Sequence, residues 1–286
     1  MSNKNARERL RAAQAQQAAK KRRNRIIGVG IGVVAVVAII VTVVVVVQMS
    51  NQVQLPEPGQ SQTVPGGPPN ADADATGIIA NPGVAKPGAP VVAIYLDYQC
   101  PACNQMEHIL GPQFESLASD GSIQLQYRTL TFLDPANKNG NLQSSTRAAI
   151  AAACSDSQGV YQQFHDEIFA NQPQVEGDGY SDQLLRETIP AKVGLTGTKL
   201  TAFQKCYDQR TPEQFVKTVY QNAQRAKILS TPTITVNGHQ LDLSKVTDPT
   251  KLGAVIQETA TAAPDPSTTP VVVASATPNP STTPVG

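Results

Sequence analysis

The sequence predicts an α/β domain with a helical insertion, set behind a single transmembrane helix, and three observations predict it. Val91 to Asp97 reads VVAIYLD, a nearly continuous apolar run short enough for a buried strand, and Cys100-Pro101-Ala102-Cys103 follows at once. Ser122 to Leu130 alternates, with Ile123, Leu125 and Tyr127 on one face and Gln124, Gln126 and Arg128 on the other, which is the period of a half-buried strand. Thr233 to Val236 and Gln240 to Leu243 flank Asn237-Gly238, the strongest short-range hairpin signal a sequence offers.

Composition divides the rest of the chain. The 286 residues include 22 prolines, 20 glycines and no tryptophan, and only 16% are charged. A compact domain of roughly 180 residues with appendages suits those figures better than one uniform globule. The formal net charge is +1, yet residues 1–25 hold nine Lys or Arg against Glu8, a local balance of +8 that leaves −7 for the remainder. A basic nucleic-acid-binding domain is thereby excluded, because phosphate neutralisation needs clustered cations on the folded part.

Residues 26–47 (Ile26 to Val47) carry no charge and only Thr42 as a polar interruption. At about 1.5 Å per residue they cross a hydrocarbon core of about 30 Å. A cleaved signal peptide is the alternative, but its apolar region is about 7 to 15 residues and ends in a small-x-small site; Gln48-Met49-Ser50-Asn51 fits that poorly. Val-rich sequence is a poor helix in water, whereas lipid leaves an isolated segment no other way to satisfy its backbone. The Gly28-x-Gly30-x-Gly32 run within it has neither the spacing nor the preceding strand of a dinucleotide fingerprint. Lys20, Lys21, Arg22, Arg23 and Arg25 place the N-terminus in the cytoplasm by the positive-inside rule, so residues 48–286 are expected to be extracytoplasmic and the chain single-pass in the cell membrane. There thiols can stay oxidised.

Residues 48–76 are rich in Pro, Gly, Gln and Ser without apolar periodicity and read as a disordered, partly stiff tether. Residues 77–260 form the predicted domain. After the first strand a helix is expected to about Leu117, then the alternating strand, then a helical insertion over about 144–229. In that insertion Arg147 to Cys154 is alanine-rich, Tyr161, Phe164 and Ile168 share a face, and Thr211-Pro212-Glu213 reads as an N-cap with proline at the first helical position. Asp248-Pro249 opens a last helix. Residues 261–286 repeat Pro-Ser-Thr-Thr-Pro twice and read as a disordered tail, with O-glycosylation or passage through a cell wall as alternative roles.

The chemistry concentrates at Cys100 and Cys103. A Cys-x-x-Cys opening a helix after a buried strand sets the first sulfur beside unpaired amides and the positive end of the helix dipole, which stabilises a thiolate. Cys100 is then the nucleophile, and Cys103, one turn inside, the resolving thiol. Pro101 suits the first turn, where a missing N–H costs nothing. A passive crosslink or half a zinc site are the alternatives; zinc wants a second close ligand pair, and Cys154 and Cys206 stand 52 positions apart with no His at ligand spacing. His108, His165 and His239 share no metal spacing and read as surface or helix-face residues. Asp97, three before Cys100, either accepts a proton from the resolving thiol or caps the strand end.

Three segments together resemble the DsbA-like, membrane-anchored thiol–disulfide oxidoreductases of the thioredoxin superfamily: Gly88-Ala89-Pro90-Val91-Val92, Asp97-Tyr98-Gln99-Cys100-Pro101-Ala102-Cys103, and Ser230-Thr231-Pro232-Thr233-Ile234-Thr235-Val236-Asn237-Gly238. The resemblance covers about residues 77–260 and implies a thioredoxin-like fold whose long helical insertion is of the DsbA kind. It assigns Pro232 as a cis-proline facing the redox pair, with Thr231 beside it tuning the sulfurs. A backbone held open there lets an extended substrate peptide pair as an added strand. Ala102 stands where the strongly oxidising members often carry histidine. That departure implies a less stabilised thiolate and a weaker oxidant.

The implied activity is oxidation of reduced secreted or cell-envelope proteins, without metal or nucleotide cofactor and without nucleic acid. Recycling would fall to a membrane quinone-linked thiol oxidase of the DsbB or vitamin K epoxide reductase type. Alternatives are a disulfide reductase or isomerase, or a non-catalytic, membrane-tethered chaperone-like binding module. Cys154 and Cys206, both in the helical block, are read as a structural disulfide, consistent with its occurrence in some extracytoplasmic relatives. Their pairing would close a loop worth about 4 kcal/mol in the chain-entropy model. The rival is a second redox relay, which would want an exposed, low-pKa thiol.

Overall fold

The computed structural model describes residues 64–136 and 140–261. The basic arm 1–25, the expected transmembrane segment 26–47, residues 48–63 of the expected linker and residues 262–286 of the expected tail lie outside the described residues. Among the described residues no helix is long and apolar enough to cross a membrane.

The chain order is β1 (Ile78–Ile79), β2 (Val91–Leu96), α1 (Pro101–Ser119), β3 (Gln124–Thr129), α2 (Ser144–Asp156), α3 (Tyr161–Ala170), α4 (Ile189–Lys192), α5 (Gly197–Asp208), α6 (Glu213–Arg225), β4 (Thr233–Val236), β5 (His239–Gln240) and α7 (Leu252–Thr261). The five strands form one mixed sheet in the order β1-β3-β2-β4-β5. β2 is central, parallel to β3 with Val91 opposite Gln124, and antiparallel to β4 with Val92 opposite Val236. Its unbroken apolar run follows from burial on both faces. Val92, Ile94 and Leu96 enter the main core, while Ala93 and Tyr95 meet Leu130 and Ala223 on the other side.

β3 departs from its half-buried expectation. Gln126 and Arg128 are each only 3% exposed. Arg128 donates to the Tyr95 hydroxyl at 2.7 Å and to Gln126 Oε1 at 2.9 Å, stands 5.2 Å from the Tyr95 ring centroid, and pairs with Asp72 at 3.7 Å. A buried charge is tolerated when paired and hydrogen-bonded in this way, and polar letters on a strand do not reveal that a second layer covers them.

Asp72 belongs to a segment expected to be tether, and this is a correction. Residues 64–76 pack on the domain: Ala75 is buried, Ala71 bridges to Ile78, and Asn70 donates from its backbone and side chain to the two oxygens of Asp156 at 2.9 and 2.7 Å. The stretch has no apolar periodicity because long-range polar bonds hold it in place of an apolar face.

The helical insertion runs from Ser144 to Arg225. Alanine lets α2 bury nearly its whole circumference. Its cap comes from outside the helix, since Gln143 is left-handed (φ 52°) and the Asp134 carboxylate accepts from the N–H of Ser145 at 2.7 Å and of Thr146 at 3.2 Å. α6 begins one residue later than expected, with Pro212 rather than Thr211 at the cap and no side-chain cap bond. The hairpin turns at Asn237 (φ 51°) and Gly238 (φ 85°), two positive φ values in succession, as a tight two-residue turn requires. The strand expected through Leu243 ends at Gln240, because Asp242 accepts from the Ser244 N–H and starts a 3₁₀ turn. Asp248 likewise caps the turn that leads into α7.

Candidate active site

β2 delivers the chain to a turn, Asp97 to Cys100, closed by the Cys100 N–H on the Asp97 carbonyl at 2.9 Å. Cys100 is then the N-cap of α1, in extended backbone (φ −77°, ψ 117°), with Pro101 in the first turn. Both thiols are free. Cys100 is 7% exposed and Cys103 fully buried.

The Thr231–Pro232 peptide is cis, and the Thr231 carbonyl accepts from Cys100 Sγ at 3.6 Å. The structure thus gathers Cys100, Cys103, Thr231 and Pro232 at the carboxyl end of the central strand. The Thr231 hydroxyl is buried without a hydrogen-bond partner of standard geometry. Cys100 likewise makes no capping bond as a thiol. These groups have their effect on its ionised form.

The two sulfurs are driven in opposite directions. Cys100 is lowered to about 6, first by the Cys103 thiol, then by the Thr231 side chain and the backbone amides of Cys103 and Ala102, against an opposing desolvation. Cys103 is pushed far up, first by burial and then by its neighbour Cys100. Hydrogen-bond donors therefore favour a thiolate here, where Ala102 offers no histidine.

Asp97 is wholly buried. Its carboxylate accepts from the Gln99 N–H at 2.9 Å, Ser145 Oγ at 2.6 Å and the Leu133 N–H at 3.1 Å. Burial raises it to about 7, partly offset by those three donors. Its backbone lies by Cys103 and favours that thiolate, while the carboxylate is engaged in bracing the turn. A group whose folded value exceeds its unfolded value of 3.8 keeps its proton in the folded chain while the unfolded chain loses its own. Asp97 therefore takes stability away as pH rises from about 4 to about 7, with a slope of at most about 1.4 kcal/mol per pH unit. Urea unfolding across that range is expected to show the decline in the parent and a flatter line in Asp97→Asn; parallel lines would refute the assignment.

Several residues that hold this turn carried no sequence signal. Tyr98 is buried between His165 (ring centroids 5.5 Å apart) and Phe169 (5.1 Å), with its hydroxyl 3.0 Å from His165 Nδ1. His165, expected on a surface or helix face, is fully buried and also faces Glu107 at 3.5 Å. Gln172 and Tyr180 reach the backbone of the turn from the insertion. His108 is exposed and His239 half-buried. Among the described residues no cluster of three or more His, Cys, Asp or Glu is placed to hold a metal ion. Cys154 in α2 and Cys206 in α5 are joined by a disulfide (S–S 2.01 Å).

A thioredoxin family model matches residues 83–258, which include the strand, both cysteines, the insertion and the cis-proline. The chain belongs to the thioredoxin family. Solved structures similar in sequence and shape to this thioredoxin-family domain include a DsbA. The oxidised DsbA of Mycobacterium tuberculosis is 27% identical, with a TM-score of 0.50, over 63% of this chain and 90% of that one. Two others show the fold alone. One is the MdbA thiol–disulfide oxidoreductase of Actinomyces oris (21% identity, TM-score 0.57, 71% of this chain and all of that one); the other is oxidised BdbD of Bacillus subtilis (20%, 0.50, 65% and 99%). No curated protein matches. In class, this thioredoxin-family chain is a protein thiol–disulfide oxidoreductase.

Proposed function

We propose that the protein is an extracytoplasmic oxidase that introduces disulfides into secreted or cell-envelope proteins through Cys100 and Cys103. The opposite displacement of the two thiols supports this reading, because a stabilised Cys100 thiolate favours the reduced pair and makes its disulfide an oxidant. A substrate thiolate attacks Cys100 Sγ, the Cys100–Cys103 bond breaks, and Cys103 leaves as a thiolate that takes up a proton in its buried site. A second substrate thiolate then attacks the substrate sulfur of the mixed disulfide and expels Cys100, a good leaving group at about 6. Two electrons pass from the substrate dithiol to the pair, and no cofactor enters.

The Thr231 backbone beside Cys100 is where an extended substrate segment would align. Residues 26–47 serve as a single-pass anchor with the N-terminus cytoplasmic, keeping the domain near a quinone-linked membrane thiol oxidase, of the DsbB or vitamin K epoxide reductase type, that withdraws the electrons.

The reduction potential tests the direction. Equilibration of the chain in glutathione buffers is expected to give a value between about −120 and −230 mV, more oxidising than thioredoxin. A value at or below about −270 mV would reassign the protein as a reductase.

A further inference from the structure

The proposed chemistry leaves the grip on the turn's backbone unexplained. The Tyr98 carbonyl accepts from Gln172 Nε2 at 2.8 Å and from the Tyr180 hydroxyl at 2.6 Å, and the Cys100 carbonyl accepts from the same Gln172 nitrogen at 3.0 Å. Both donors come from the loop that follows α3, more than 70 residues along the chain. That loop is anchored in its turn. The Tyr180 N–H donates to Ser144 Oγ at 2.6 Å, and residue 179 must be glycine, since it has φ +69° and a Cβ there would lie 2.8 Å from Ser144 Oγ.

One of these carbonyls belongs to the peptide plane that follows the nucleophile, and the other to the turn that leads into it. At an N-cap the side chain lies over the amides of the second and third helical residues, here Ala102 and Cys103. Their reach to Sγ depends on the side-chain torsion and ψ of Cys100, hence on the plane that carries the Cys100 carbonyl, while the bonds to the Tyr98 carbonyl brace the turn from which Cys100 emerges. Because Pro101 has no N–H, the Cys100–Pro101 plane offers the Cys100 carbonyl as its only polar handle. The helix's own claim on that carbonyl is a long bond, from the Asn104 N–H at 3.2 Å.

We propose that Gln172, seconded by Tyr180, is a positioning residue for the redox pair: its amide fixes the Cys100–Pro101 peptide plane that aims the Ala102 and Cys103 N–H groups at Cys100 Sγ, and with Tyr180 it braces the turn that carries Cys100. This rests on the reading of Cys100 as the nucleophile. The helical insertion then prepares the reactive sulfur from a distance, without touching substrate.

The test is the pH dependence of Cys100 alkylation by iodoacetamide in the full-length reduced chain, with circular dichroism to verify folding. The parent midpoint is expected at about 6. In Gln172→Ala it should rise by about one unit, a roughly tenfold smaller thiolate fraction at pH 5. Gln172→Glu keeps the shape but sets an acceptor against two carbonyls, and should shift at least as far. Folded Gln172 variants whose midpoints stay within about 0.2 units of the parent would overturn the proposal. Should they not fold, Tyr180→Phe removes one oxygen and is expected to lower the thiolate fraction at pH 5 about twofold; no change would likewise overturn it. A parent midpoint near the ordinary 8.5, with no oxidation of a reduced peptide, would instead sink the oxidase reading itself.

Discussion

Cys100→Ser is expected to abolish oxidation of a reduced substrate peptide, and Cys103→Ala to abolish it too while trapping disulfide-bearing clients on Cys100. The first removes the sulfur that a substrate thiolate attacks, so the rate should fall at least about a thousandfold, or about 4 kcal/mol of barrier. The second keeps Cys100 but removes the thiol with which it forms the oxidising disulfide and which would free it from a mixed one. A Cys100 thiolate that attacks a disulfide already formed in a client therefore stays joined to it, expelling the client's other thiolate, and is seen as a reducible adduct on non-reducing gels. The roles are not interchangeable, because Cys100 is 7% exposed and favoured as thiolate while Cys103 is inaccessible and held neutral. Adducts from Cys100→Ser instead of Cys103→Ala would reverse the assignment. Full activity in both would leave a binding module, whose disulfide chemistry is incidental.

Loss of the Cys154–Cys206 bridge is expected to cost stability and not turnover. It links α2 to α5 across 52 positions, and the chain-entropy model values such a loop at about 4 kcal/mol. Cys154→Ala/Cys206→Ala should therefore unfold in urea with about 4 kcal/mol less stability, with a melting temperature lower by roughly 8 to 16 °C. The oxidation rate at a temperature where the variant stays folded should be unchanged. A parent-like unfolding curve with a severalfold loss of turnover would make the bridge a redox relay.

What the sequence made legible was local. A strand feeding Cys-x-x-Cys, a Thr-Pro before a strand and an Asn-Gly turn are each written within ten residues, and together they specify the central sheet and the reacting sulfurs. What it concealed was distant in sequence. Gln172 is one polar residue in a loop, and its bonds to Tyr98 and Cys100 span more than 70 positions. Arg128 reads as an exposed strand residue until Asp72 and Tyr95 are brought to it. Residues 64–76 read as tether because the bonds that dock them have no period. His165 gave no sign of its burial, since Tyr98 from the turn and Tyr127 from β3 come from distant parts of the chain to join Phe169 of its own helix around it.

The cysteines also pair in a particular order along the chain. Cys100 stands beside Cys103, and Cys154 is bonded to Cys206, so the first cysteine goes with the second and the third with the fourth. Of the three connectivities four cysteines allow, this is the one without crossing or nesting. A chain threaded through a membrane from residue 48 onward would present Cys100 and Cys103 together, then Cys154, then Cys206. Each native pair would be complete before the next begins, and during export the domain would reach its final bonds by consecutive closure, with no wrong pair to undo and no isomerase to wait for.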